Sequence, residues 1–125
     1  MIIRQIQIGG FEIFAYVLGD QETGLGIVVD PGGPSGPILK AARDSGISEI
    51  KYIVNTHSHV DHIAGNKEMH RVTGAPIAIH ELEADALEHP NLGMLAMFGA
   101  EPSPPASVFL KDGDSIEFGL SSVKV

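Results

Sequence analysis

The sequence predicts an α/β or α+β layer sandwich, and three features of its patterning carry that prediction. Between Ile2 and Val29, apolar and polar residues alternate in short runs separated by polar turns, the pattern of antiparallel strands. From Pro37 onward, helix-period segments alternate with short apolar strands. Gly and Pro clusters punctuate almost every junction. An antiparallel start followed by alternating strands and helices buries its apolar faces by stacking in layers.

Taken in order, Ile2, Ile3, Ile6 and Ile8 form a first strand closed by Gly9-Gly10. A second strand runs from Phe11 to Leu18 and places Phe11, Ile13, Ala15 and Val17 on one face. The polar stretch Gly19 to Gly24 has hairpin character. Leu25 to Val29 is a third strand, stopped by Asp30-Pro31-Gly32-Gly33-Pro34. Pro37 suits a first helical turn, and Ile38, Leu39, Ala41 and Ala42 carry that helix to Gly46. Tyr52-Ile53-Val54 is a buried strand. Ile63 to Thr73 reads as one helix ended by Gly74, and Ile77-Ala78-Ile79 as another strand. Glu81 to His89 reads as a helix with Leu82, Ala86 and Leu87 inward. Residues 90–107 contain Pro90, Pro102, Pro104 and Pro105 and are expected to be irregular. Val108 to Leu110 and Ser115 to Phe118 flank Lys111-Asp112-Gly113-Asp114 as an expected hairpin.

Composition bounds the function. The chain has 125 residues, 43% of them hydrophobic, enough for one ordinary domain with a core. Sixteen acids against eight Lys and Arg give a net charge of −8. No basic cluster offers itself to phosphates, so a nucleic-acid partner is not expected. No apolar run is long enough to span a bilayer, and Met1 leads into strand-like alternation without a signal-peptide pattern. With no cysteine to form disulfides, a cytoplasmic location is the expectation.

The chemistry concentrates in Thr56-His57-Ser58-His59-Val60-Asp61-His62. Imidazole and carboxylate suit zinc, iron or manganese, and without cysteine any metal site must use nitrogen and oxygen donors. His57 and His59 are two apart, so on an extended segment both rings leave the same side and can reach one ion at roughly 2.0–2.1 Å. Asp61 and His62 are adjacent and converge only if the chain turns there, which a helix starting just beyond would provide. A loop between strand end and helix start is where ligands project into a cleft. In the competing reading Asp61 is a helix cap and the histidines are a polar loop. That reading explains one residue of the four.

These residues resemble the metal-binding signature T-H-x-H-x-D-H of the metallo-β-lactamase superfamily, and are most similar to its glyoxalase II-like thioester hydrolases. The resemblance extends to the N-terminal hairpin, to Ile27-Val28-Val29-Asp30-Pro31-Gly32, and to the Asp112-Gly113-Asp114 turn. It implies a metallo-β-lactamase-like αβ/βα sandwich and a metal-dependent hydrolase acting on a small thioester or ester. It also implies that His57 and His59 bind a first zinc (iron or manganese being alternatives), that Asp61 and His62 bind a second, and that Asp61 orients the water or hydroxide nucleophile. The family completes its ligand set from later segments, beyond a strand resembling Ser121 to Val125. Residues 1–125 are therefore expected to be the N-terminal half of the domain, weak or inactive alone. The motif does not separate subfamilies. An iron-dependent oxidoreductase of the same superfamily and a non-catalytic, self-associating metal-binding half-domain remain alternatives. Ala64-Gly65 departs from the two glycines of many relatives, and its methyl group would crowd the helix start without removing a ligand.

Other residues carry two readings each. Asp30 is either a carboxylate that holds a ligand in position, as the family's matching aspartate does, or an Asp serving a turn. His80 follows a strand beside Glu81, a position the family does not use for metal. His70 is expected to be solvated on a charged helix face, and His89 to sit at a helix end where a cation is favoured. Met94 to Phe98 is an apolar run that either lines a substrate groove or is core or a surface covered by the missing half, the second reading being preferred. Finally, if the sheet face carrying Ile13, Ala15, Val28 and Ile53 lacks its second layer, the chain is expected to form a symmetric homodimer through that face.

Overall fold

The computed structural model describes residues 1–8 and 13–125. The predicted Gly9-Gly10 closure and the start of the second strand at Phe11 lie outside the described residues. Strands β1 (Ile2–Ile8), β2 (Ile13–Asp20) and β3 (Leu25–Val29) form an antiparallel meander. Strand β4 (Glu49–Asn55) then pairs parallel with β3, β5 (Ile77–His80) with β4, and β6 (Val108–Leu110) with β5. The result is a six-stranded mixed sheet in sequential order. Each parallel pair needs a crossover, and helices supply it. Helix α1 (Ser35–Asp44) joins β3 to β4, while α2 (Val60–Ile63) and α3 (Asn66–Thr73) join β4 to β5. A 3₁₀ turn at Glu81–Glu83, α4 (Ala84–Glu88) and α5 (Leu92–Met97) lead to β6. Strands β7 (Ser115–Phe118) and β8 (Ser121–Lys124) form a separate two-stranded sheet.

Strand alternation divides the core in two. One face of the large sheet sends Ala15, Val17, Val28, Ile53 and Ile77 against Ile38 and Ala42 of α1, Ile63 of α2 and Met69 of α3. The other face packs Ile27, Val54, Ala78 and Leu110 against Ile116 and Phe118 of β7. This corrects the expected dimer face. Ala15, Val28 and Ile53 are fully buried beneath the chain's own helices, so they have no surface to offer a second copy. No helix among the described residues is long and apolar enough to cross a membrane.

Four further expectations change. The helix predicted over Ile63 to Thr73 is two helices, because Gly65 breaks the run to let its N–H donate to the Pro31 carbonyl at 2.7 Å. In the segment after β5 Leu87 turns inward as expected. Leu82 and Ala86 are exposed, since a 3₁₀ turn rotates the pattern off the helical period. The irregular stretch contains α5, which the Asn91 side chain caps by accepting from the Met94 N–H at 3.0 Å. Pro90 precedes that cap and the other three prolines follow the helix, so none interrupts it. The hairpin expected between β6 and β7 does not form. β6 has a parallel partner in β5, and β7 instead turns at Gly119-Leu120 to pair with β8.

The small sheet is tied back through Asp20. Its carboxylate accepts from Leu120 N–H at 2.7 Å and from Thr23 Oγ at 2.8 Å, and these bonds hold its pKa below the usual carboxylate range. A depressed folded pKa contributes stability above the unfolded value of about 3.9, and that stability is lost as pH falls through the folded value. Replacing Asp20 by Asn should therefore lower the urea midpoint at pH 7, and the gap from the native chain should close toward pH 3. A gap that stays constant with pH would show that the carboxylate charge does not hold the small sheet.

Candidate metal centre

The site lies outside the carboxyl ends of two neighbouring parallel strands, β3 and β4, where chain reversals leave side chains free to converge. β3 is followed directly by Asp30, which has φ of 53° and is buried. Positive φ is tolerated by Asp far better than by a branched residue. The turn aims the carboxylate across to the end of β4. There Oδ1 accepts from Thr56 N–H at 2.8 Å and Oδ2 from Thr56 Oγ at 2.6 Å. Both readings of Asp30 thus describe the same residue: it makes the turn, and it fixes the first residue of the histidine cluster.

His62, on the single turn of α2, places Nδ1 3.0 Å from Asp30 Oδ2. The ring is not aligned for a hydrogen bond, and Nδ1 is left buried without a hydrogen-bond partner. His57 packs edge-on to His62 with ring centroids 3.9 Å apart, and His59 tilts against His57 at 4.4 Å. Thr56 Oγ gives its hydrogen to Asp30, so it can only accept at its 3.3 Å contact with His57 Nδ1. That arrangement assigns the ring hydrogen of neutral His57 to Nδ1 and leaves the Nε2 lone pair free.

Donor atoms of Asp30, His57 and His62 lie within 4.8 Å of one another. A buried imidazole nitrogen without a hydrogen bond, beside a buried carboxylate and a second imidazole, is the donor set and the unmet demand that a divalent cation satisfies. The residues present therefore fit a metal ion. His59 is exposed and adjoins the trio through His57. Asp61 lies beside His62, with Oδ2 3.6 Å from Nε2, and is not one of the three converging donors.

The remaining histidines are accounted for elsewhere. His80 Nδ1 accepts from Leu82 N–H at 3.2 Å, so its Nε2 donates to Asp112 at 2.9 Å. His70 is not simply solvated: its Nδ1 lies 2.7 Å from the Ala75 carbonyl and ties α3 to the next strand. His89 ends α4 as expected, and the Asp85 carbonyl and carboxylate raise its pKa.

Several positioning residues were not singled out from the sequence. Asn55 and Asn66 are buried and exchange amide hydrogen bonds of 3.1 and 2.7 Å, joining the end of β4 to the start of α3. Gly32 packs on the motif backbone so closely that a Cβ would stand 1.7 Å from the Asp61 carbonyl oxygen. At Gly65 a Cβ would meet the Gly33 carbonyl at 2.2 Å. Of the pair Ala64-Gly65, only the second needs to be glycine, since Ala64 holds ordinary helical angles. The run Asp30-Pro31-Gly32-Gly33 was the visible signal, but its partner across space was not.

A cavity of about 760 Å³ opens beside the centre. His59 and Asp61 line it together with Ile13, Val60, and Met94 and Phe98 of the α5 segment.

Comparison with known proteins places this fold. The sequence pattern of the metallo-beta-lactamase superfamily matches residues 8–125, and the chain belongs to that superfamily, whose members are metal-dependent. It is 29% identical over its whole length to an uncharacterized protein of Aquifex aeolicus, of which it covers 58%. It is 33% identical to a hydroxyacylglutathione hydrolase of Cereibacter sphaeroides across 90% of this chain and 37% of that one. The crystal structure of BLEG-1 B3 metallo-beta-lactamase superposes with a TM-score of 0.79 at 25% identity, covering 98% of this chain and 59% of that chain. The chain thus spans less than two thirds of the length of each of these three proteins.

The contact between the two loops gives a direct test. Substituting Gly32 by Ala forces the Asp61 backbone to move, and overpacking of this kind costs about 1–3 kcal/mol. Chemical denaturation should show that loss. An unchanged midpoint would mean that the loops are not locked together.

Proposed function

We propose that this chain carries metal-binding residues of a metal-dependent hydrolase that acts on thioesters in the manner of glyoxalase II. The observation that carries the reading is the unpartnered buried Nδ1 of His62 facing the Asp30 carboxylate, with His57 beside it. Similarity to hydroxyacylglutathione hydrolases supports the choice of thioesters. In this proposal His57 and His59 hold one cation, Asp61 and His62 hold a second, and zinc is the preferred ion, with iron and manganese as alternatives. A bound divalent cation supplies Lewis acidity, which lowers the pKa of water toward neutrality and polarises a carbonyl.

The chain's own residues do the positioning. Asp30 anchors Thr56, which fixes the strand end from which His57 and His59 project. The buried carboxylate also favours one orientation of the His62 ring. Asp61 borders the cavity and orients the attacking water there. Two protein donors for each cation hold an ion loosely, so turnover by residues 1–125 is expected to fall well below a typical enzyme range of about 1–10³ s⁻¹.

Titrating metal-free protein with zinc, manganese or ferrous ion tests the site. At a free concentration one hundred times Kd, binding should stabilise the fold by about 2.7 kcal/mol, and H62A should abolish that gain. In parallel, a panel of thioesters, lactones and lactams should show weak, metal-dependent cleavage of the thioesters. Equal stabilisation of H62A would remove the metal site, and oxygen consumption with iron in place of hydrolysis would assign the chain to redox chemistry.

A further inference from the structure

We propose that α5 forms an acyl-selecting wall for this site, so that the adjoining cavity receives the apolar acyl chain of a thioester, with Met94 and Phe98 as specificity-determining residues. The inference rests on the hydrolase reading for its reaction but on the cavity itself for its ligand class. The volume of about 760 Å³ lies within the range of small-molecule sites, roughly 300–1,000 Å³. Ile13, Val60, Ala86, Met94 and Phe98 give it an apolar lining. His59 and Asp61 line the same cavity, so a chain held against its apolar lining lies next to the metal-binding residues.

The wall is built and not merely exposed. Leu95 is buried and anchors α5, while the Asn91 cap fixes where the helix begins. Met94 and Phe98 are four residues apart and therefore share one helix face. They keep 45% and 37% of their surfaces accessible although both line a concave space. A thioether side chain beside an aromatic ring adapts to chains of different length. Charge argues for the same occupant. Among the described residues no lysine or arginine lines the cavity, so an anionic thiol carrier finds no fixed cation there. His89 also lines it, but its Nδ1 lies 2.9 Å from the Asp85 carbonyl and 3.6 Å from the Asp85 carboxylate, which offsets any positive charge on the ring. An uncharged chain meets no such requirement.

Binding of non-hydrolysable S-alkyl thioethers of N-acetylcysteamine, with two, four, six and eight carbons, can be followed on the intact chain by calorimetry and by chemical-shift perturbation. Affinity should rise with length by up to about fourfold per methylene. The M94S and F98S variants should flatten that dependence. M97S, whose side chain is 86% exposed and does not line the cavity, should leave it intact. Circular dichroism confirms that each variant is folded. Length-independent binding by the native chain, or an undiminished slope in folded M94S and F98S, overturns the proposal. A clear slope without metal-dependent thioester cleavage would leave the acyl wall standing and remove the hydrolase reading.

Discussion

The Asp30 carboxylate joins the two strand ends on which the centre depends. Three groups lie within 3.0 Å of its two oxygens: Thr56 N–H, Thr56 Oγ and His62 Nδ1. Two of these are hydrogen bonds, and the third is a close approach with the wrong alignment. The residue holds φ of 53°, a conformation that raises the energy of most side chains. A short acceptor in that position recovers the cost by binding backbone and hydroxyl donors on the neighbouring strand. Without the turn the carboxylate would not cross from β3 to β4, and the histidine cluster would begin from an untethered strand end.

Around this link the backbone is packed too closely for ordinary side chains. Gly32 lies against the Asp61 carbonyl, and Gly65 against the carbonyls of Pro31 and Gly33. These approaches bring the loop after β3 onto the loop after β4, and they also explain the break between α2 and α3. The Asn55–Asn66 pair completes the arrangement from below, because each amide supplies both donor and acceptor in a buried space. Glu68 does similar work at the start of α1, where its carboxylate receives the Ser35 N–H at 2.8 Å and the Ser35 hydroxyl, and both bonds lower its pKa. The site is thus held by polar contacts between loops, while the sheet beneath it is held by apolar burial.

The sheet itself is covered on both faces by elements of the same chain. Helices occupy the side bearing Val28 and Ile53, and the β7–β8 sheet packs against the side bearing Ile27 and Val54. β3, the second half of β4 and β5 accordingly read as nearly continuous apolar runs in the sequence, as buried parallel strands do. Such runs tell that a strand is buried but not which layer lies on which face. That is why the helix-covered face could be mistaken for an open one.

The sequence by itself determined the layer architecture, the superfamily and the compact run of metal-binding residue types, because each depends on local pattern: alternation, helical period, and ligands spaced across one strand-to-helix turn. It also marked Asp30-Pro31-Gly32-Gly33 as a special turn. Tertiary structure alone decided that Asp30, His57 and His62 bring their donor atoms together while Asp61 stands beside them, that β6 leaves its nearest neighbour in sequence to pair with β5, and that α5 lines a cavity next to the centre. Each of these depends on groups far apart along the chain. Thr56 lies 26 residues from Asp30, and Leu120 lies 100 from Asp20. Contacts at such separations are set by which strands pair and how the layers stack, and no local pattern of residue types encodes that choice.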